Sequence, residues 1–126
     1  MKTGYLCVIG LICLCLGLSA CDVAHSIVVK NKTPEKAHFY YSVSRPNFTD
    51  TAFTISLAPR KSFSIFYYFG NWNDTEMKRV AHEFRRIELA SVTDTVVLAN
   101  YEQIHSFLAS RRLRLLFNNH IIIKIK

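Results

Sequence analysis

The fold is decided by residues 38–69, which read HFYYSVSRPNFTDTAFTISLAPRKSFSIFYYF. This stretch contains three runs rich in aromatic and β-branched residues, at 38–43, 52–57 and 62–69. Such residues favour strands, and the prolines between the runs (Pro46 and Pro59) predict turns. The stretch therefore predicts three consecutive strands that pair in an antiparallel arrangement.

Weaker strand patterns lie outside this stretch, at 26–30, 86–89, 95–98 and 120–126. Two short helices are also expected. Asp74 or Thr75 begins one that runs through Phe84, and Asn100 with Gln103 resembles a capping box that begins a second one. The expected fold for residues 26–126 is mainly β, either a small antiparallel sandwich or a meander. It would be immunoglobulin-like if the strands form two sheets.

The N-terminus has the pattern of an export signal. One basic residue, Lys2, precedes an unbroken run of apolar residues and glycines from Tyr5 to Leu18. The run is too short to cross a bilayer comfortably as a helix but fits the apolar core of a secretory signal. It ends in Leu18-Ser19-Ala20-Cys21, which resembles the lipobox of bacterial lipoproteins.

The lipobox resemblance implies an address and a division of the chain. In that family the cysteine thiol is alkylated with a diacylglyceryl group, and a dedicated peptidase cleaves just before it. Residues 1–20 would then be the signal peptide, Cys21 the lipid acceptor, and residues 21–25 a short tether. The resemblance further implies attachment to the cell membrane or outer membrane by acyl chains such as palmitate, with the domain outside the cytoplasm.

Three other interpretations of the N-terminus stay open. The cysteine could stand by chance at the border of an ordinary secretory signal, or the apolar run could be a transmembrane anchor. In a eukaryotic secreted protein, three Asn-x-Thr sequences would accept glycans at Asn31, Asn47 and Asn73. Short patterns of this kind also arise by chance in a chain rich in Asn and Thr.

The cysteine count agrees with the lipobox interpretation. All four cysteines lie in the first 21 residues, at positions 7, 13, 15 and 21. A mature chain of 106 residues, 21–126, would keep only Cys21 and could form no internal disulfide. Its domain must therefore be stabilised by its own hydrophobic core.

The chain is basic, with a formal net charge of +7. Loss of residues 1–20 removes only Lys2 from the 16 basic residues and none of the 9 acidic ones, which leaves +6. Nucleic acid is not expected as a partner of an exported protein. Anionic headgroups and acidic polymers are the expected partners of such a surface, and a merely solubilising basic surface is the alternative.

The sequence favours a protein that is not an enzyme. Five histidines are scattered without the spacing of metal ligands, and His82-Glu83 lacks a second histidine because position 86 is arginine. No Gly-x-Ser-x-Gly sequence or glycine-rich phosphate loop is present. We therefore expect no metal and no cofactor. A hydrolase with an unrecognised site is the competing class.

Two segments are candidate binding surfaces. The first is the aromatic segment 66–72, where Tyr68 and Trp72 are the candidate contact residues while Tyr67 and Phe69 are expected in the core. The second is the arginine cluster Arg111, Arg112 and Arg114, whose alternative role is to end a helix with favourable charge. The expected function is a non-enzymatic, membrane-tethered interaction or structural module, with an envelope protein as a candidate partner. The alternative is a ligand- or polymer-binding lipoprotein that uses an aromatic or Arg-rich surface.

Overall fold

The structure is a computed structural model that describes residues 24–46, 49–112 and 120–126. The strands and helices, in chain order, are β1 (Ala24–Asn31), β2 (Ala37–Val43), β3 (Thr51–Leu57), β4 (Ser62–Phe69), α1 (Asp74–Glu83), β5 (Phe84–Ala90), β6 (Thr95–Leu98), α2 (Tyr101–Ser110) and β7 (His120–Ile125). The prediction of a mainly β domain with two short helices is confirmed.

The strands form two sheets, and together they make a small β-sandwich. One sheet has three strands in the order β4-β1-β7, and the other has four in the order β3-β2-β5-β6. Neighbouring strands are antiparallel except for β1 and β7, which are parallel. Parallel pairing requires a long crossover, and here the other strands and both helices lie between β1 and β7 along the chain. The two strand orders differ from the immunoglobulin arrangement.

The three-stranded sheet contributes one of its faces to the core. Its inward side chains form two rows across the strands, Phe63–Val29–Ile123 and Ile65–Ile27–Ile121. The four residues from β1 and β7 in these rows are almost completely buried. Burial of each such aliphatic side chain contributes about 1.5–3 kcal/mol.

The four-stranded sheet and both helices complete the same core. In β2 the alternate residues Phe39 and Tyr41 point inward, with their rings stacked 5.1 Å apart. The helices bury residues at helical spacing, which are Met77, Val80 and Ala81 in α1 and Ile104 and Leu108 in α2. All these side chains belong to one continuous hydrophobic cluster.

Two element boundaries differ from the sequence-based expectation. β1 begins at Ala24, so Ala24 and His25 belong to the strand and not to the predicted tether of residues 21–25. α1 ends at Glu83, because Phe84 has an extended backbone (φ −76°, ψ 130°) and pairs with Val43 as the first residue of β5. Phe84 is buried. A buried apolar side chain is equally compatible with the last turn of a helix and the first position of a strand, so the sequence does not distinguish the two here.

Asparagine side chains cap both helices. Asn73, and not Asp74 or Thr75, is the N-cap of α1, where its side-chain oxygen accepts from the Glu76 amide at 2.8 Å. The predicted cap of α2 is confirmed, since Asn100 accepts from the Gln103 amide at 2.9 Å. Each cap satisfies a backbone donor that has no partner within its helix.

Candidate functional site

The first residues of β1 meet the start of α1 in a polar contact. His25 is 3% exposed, and its Nε2 lies 2.9 Å from a carboxylate oxygen of Glu76. The two residues are 51 positions apart in the sequence. This contact fixes the beginning of β1 against α1 only four residues beyond Cys21.

Glu76 also belongs to a chain of ion pairs along α1. Arg79 donates to both Glu76 and Glu83, and Arg45 donates from its Nε to Glu83 at 3.1 Å. Hydrogen bonds from Arg79 and then His25 hold the pKa of Glu76 down at about 2, although partial burial of the carboxyl opposes this. The carboxylate form of Glu76 therefore matters for the stability of this end of the domain.

Aromatic rings enclose His25. The imidazole lies 4.6 Å from the Trp72 ring in an edge contact and 5.6 Å from the Tyr67 ring in a stacked one. Gly70, with a φ of +144° that favours glycine, lies between β4 and this tryptophan. We call His25, Tyr67, Trp72 and Glu76 the His25 cluster.

Trp72 is a core residue, which corrects its assignment as a candidate binding residue. Its side chain is fully buried, and the indole Nε1 donates to the backbone carbonyl of Ser26 at 3.1 Å. The loop after Gly70 folds back over the start of β1, so a loop position here does not give exposure. The prediction that Tyr67 lies in the core is confirmed. The side chains of Tyr68 and Phe69 lie outside the described part of the structure.

Two polar atoms of the His25 cluster have no hydrogen-bond partner among the described residues. They are His25 Nδ1 and the Tyr67 hydroxyl. Burial is the main cause that raises the pKa of Tyr67 above its ordinary value, with the charge of Glu83 adding to it. Burial therefore favours the neutral form of the Tyr67 hydroxyl.

Two residues of the predicted arginine cluster, Arg111 and Arg112, make separate contacts within the domain. Arg112 donates from its Nη1 to the Trp72 carbonyl at 3.1 Å and to Asp74 at 2.8 Å, which ties the end of α2 to the start of α1. The guanidinium of Arg111 lies 3.5 Å from the centre of the Phe107 ring and donates to the carbonyl of the same residue. Both arginines thus have structural contacts, and Arg114 lies outside the described residues.

A different Arg-rich surface, which sequence reasoning missed, lies beside the C-terminal end of α1. It is an open groove of about 630 Å³ lined in part by Arg45, Arg79, His82 and Arg85. Arg45 and Arg79 pair with Glu83, whereas Arg85 makes no ion pair among the described residues. Its residues come from two segments, 44–46 and 79–85. The basic residues of the second segment are evident in the sequence, but their proximity to Arg45 is not. We call it the basic groove.

The outward side of the three-stranded sheet is a second surface that sequence reasoning did not single out. Its side chains form three rows across the strands, Phe66–Ser26–His120, Ser64–Val28–Ile122 and Ser62–Lys30–Lys124. Phe66 is 71% exposed. The sequence feature that indicates this surface is the alternation of side chains in β4, which places Phe66 on the same face as two serines. We call these nine residues the outer face.

The structure argues against glycan attachment at Asn31. Its side chain is fully buried, and its Nδ2 donates to the carbonyls of Glu35 and Leu57 at 2.7 and 3.0 Å. A glycan on that nitrogen could not coexist with these bonds. Asn73 is the cap of α1, and Asn47 lies outside the described residues.

The described ranges contain neither a candidate metal centre nor a helix able to span a membrane. Within 24–46, 49–112 and 120–126, no group of three His, Cys, Asp or Glu side chains is placed to hold a metal ion. His82 instead stacks on Tyr101 with ring centres 4.0 Å apart. Neither α1 nor α2 has the length and apolar character needed to cross a membrane.

Comparison with known proteins gives no relative. No family model, no curated protein and no solved structure matches this chain.

Proposed function

We propose that this protein is a bacterial envelope lipoprotein, anchored through a lipid on Cys21, whose domain is a non-enzymatic interaction or structural module at the membrane surface. The N-terminal pattern that resembles a lipobox is the basis of the anchor. The observation that carries the membrane-proximal role is the buried, paired His25 four residues beyond Cys21.

The short distance between anchor and domain supports a role at the membrane. Only two residues, Asp22 and Val23, lie between Cys21 and Ala24, the first residue of β1, so the Cα atoms of Cys21 and Ala24 are about 10 Å apart at most. If the first residues of β1 detached from the sheet to lengthen this tether, the contact between His25 and Glu76 would be lost. A partner of the domain must lie in the membrane or come close to it.

The polar contacts support a non-enzymatic role. Ser26 Oγ lies 2.9 Å from His120 Nδ1, which resembles a nucleophile and its base. Ser26 is only 1% exposed, however, so a substrate carbonyl does not reach its hydroxyl. The histidine of the His25 cluster is equally buried and serves to join β1 to α1.

The anchor is tested by paired cysteine variants in a bacterial host that expresses the full precursor. Cys21→Ala should abolish incorporation of a labelled fatty acid and accumulate uncleaved precursor. Cys15→Ala, which changes a cysteine within the signal peptide, is the matched control and should be labelled and cleaved normally. Equal labelling of both variants would overturn the proposed anchor.

The basic groove favours a second candidate function, the binding of an acidic polymer by the anchored domain. Three arginines, Arg45, Arg79 and Arg85, line the groove, and Arg85 makes no ion pair among the described residues. Arg85→Ser should lower the salt concentration that elutes the detergent-solubilised protein from an anionic polysaccharide column. The control is Arg86→Ser, since Arg86 is exposed, pairs with Glu88 and is not a groove residue. Equal elution of both variants and the unaltered protein would exclude the groove as a polymer site.

A further inference from the structure

The outer face has a composition that is unusual for a surface in water. Phe66 is 71% exposed, and the neighbouring Val28 and Ile122 are half-buried. The remaining side chains are three serines, of which Ser26 is itself buried, a histidine and two lysines, and none of the nine is acidic. The face therefore combines apolar area with positive charge.

The outer face lies beside the point where the tether joins the domain. β1 is the middle strand of its sheet, and Phe66 pairs with Ser26, the third residue of that strand. Ser26 lies about 7 Å along the strand from Ala24. A lipid on Cys21 would thus hold the apolar end of the face within a few tens of ångströms of the bilayer, whatever the path of the tether.

The end of the outer face opposite Phe66 carries two lysines. Lys30 and Lys124 pair across β1 and β7, and Ser62 of β4 completes their row. Anionic headgroups attract such side chains within a Debye length of the surface. Exposed apolar side chains such as phenylalanine insert at the boundary between headgroups and acyl chains. An anionic bilayer would therefore suit both the lysine end and the Phe66 end of the outer face.

We infer that the outer face lies against the anionic headgroups of the bilayer that holds Cys21, with Phe66 at the interface and the lysine row in contact with lipid phosphates. This inference rests on the proposed lipid anchor and adds the orientation of the domain. The two signals, acyl chains and a basic face with an exposed aromatic, reinforce each other. The four-stranded sheet would then face away from the membrane, toward any partner.

The test places a single fluorophore at chosen positions of the full lipidated protein in vesicles. In the proposed mature chain the thiol of Cys21 is alkylated by the diacylglyceryl group, so one introduced cysteine is the only free thiol. Phe66→Cys and Ser62→Cys report on the two ends of the outer face. Val92→Cys is the control, because Val92 is also 71% exposed but lies in the turn between β5 and β6.

Vesicles with anionic lipids and quenchers attached to their headgroups should quench the labels at positions 66 and 62 several-fold more than the label at 92. Equal quenching at all three positions, or quenching at 66 without 62, would overturn the face-on orientation while leaving the anchor intact. Shielding at 66 that depends on protein density and not on anionic lipid would also overturn it, in favour of a second copy of this chain. Absence of the lipid, read by mass spectrometry on the same samples, would instead mark failure of the anchor.

Discussion

Replacement of Trp72 by alanine tests whether this residue belongs to the core or to a binding surface. The indole is fully buried, contacts the rings of His25 and Tyr67 at 4.6 and 5.3 Å, and donates to the Ser26 carbonyl. Large-to-small changes at buried aromatic residues cost about 3–5 kcal/mol. Loss of the indole donor also removes a buried hydrogen bond to the Ser26 carbonyl, which costs a further ~1 kcal/mol. We expect a total loss of about 5 kcal/mol.

The measurement is urea unfolding of the detergent-solubilised mature protein, followed by far-UV circular dichroism because the variant lacks the only tryptophan. A domain of this size is stable by roughly 5–15 kcal/mol, so the variant should unfold at a much lower urea concentration or not fold at all. Phe66→Ala is the control, since removal of an exposed ring should cost less than about 0.5 kcal/mol. A loss below about 1 kcal/mol for Trp72→Ala would refute the core assignment.

Two further predictions concern acid and the β1–β2 turn. Since the pKa of Glu76 is about 2 when folded and 4.5 normally, its contribution to stability is complete above pH 4.5 and disappears as the pH falls toward 2. Thermal melts across this range should show a smaller acid loss for Glu76→Gln than for the unaltered protein, and identical pH profiles would contradict this. Asn31→Ala should lower the free energy of unfolding by about 3 kcal/mol, because the buried Asn31 amide donates to the carbonyls of Glu35 and Leu57 and accepts from the Thr33 backbone amide. Urea unfolding measures this change, with the exposed Thr93→Ala as the control, and a loss no larger than that of the control would disprove it.

Strands with strong local signals could be predicted from the sequence. β4 and β6 have the predicted bounds, because alternation of side chains and flanking turn residues fix a strand locally. β1 and β5 differ at their ends. At Phe84 the same buried side chain suits the last turn of a helix or the first position of a strand, and only pairing with Val43 decides between them.

The contacts of the candidate surfaces depend on residues far apart in the sequence, and local patterns do not reveal them. His25 meets Glu76 across 51 positions, and the parallel pairing of β1 with β7 joins the two ends of the domain. Trp72 follows a glycine in a loop, which suggested exposure, yet its indole is held by Ser26. Phe66 is the opposite case, since its place among alternating serines already indicated an outward direction.

The central claim, that the chain is anchored through a lipid on Cys21, is tested most directly by mass spectrometry of the N-terminal tryptic peptide from the membrane fraction. The account predicts a peptide that spans residues 21–30 and carries a diacylglyceryl group on the cysteine sulfur. Recovery of the same peptide with a free thiol, or of the uncleaved chain beginning at Met1, would contradict it.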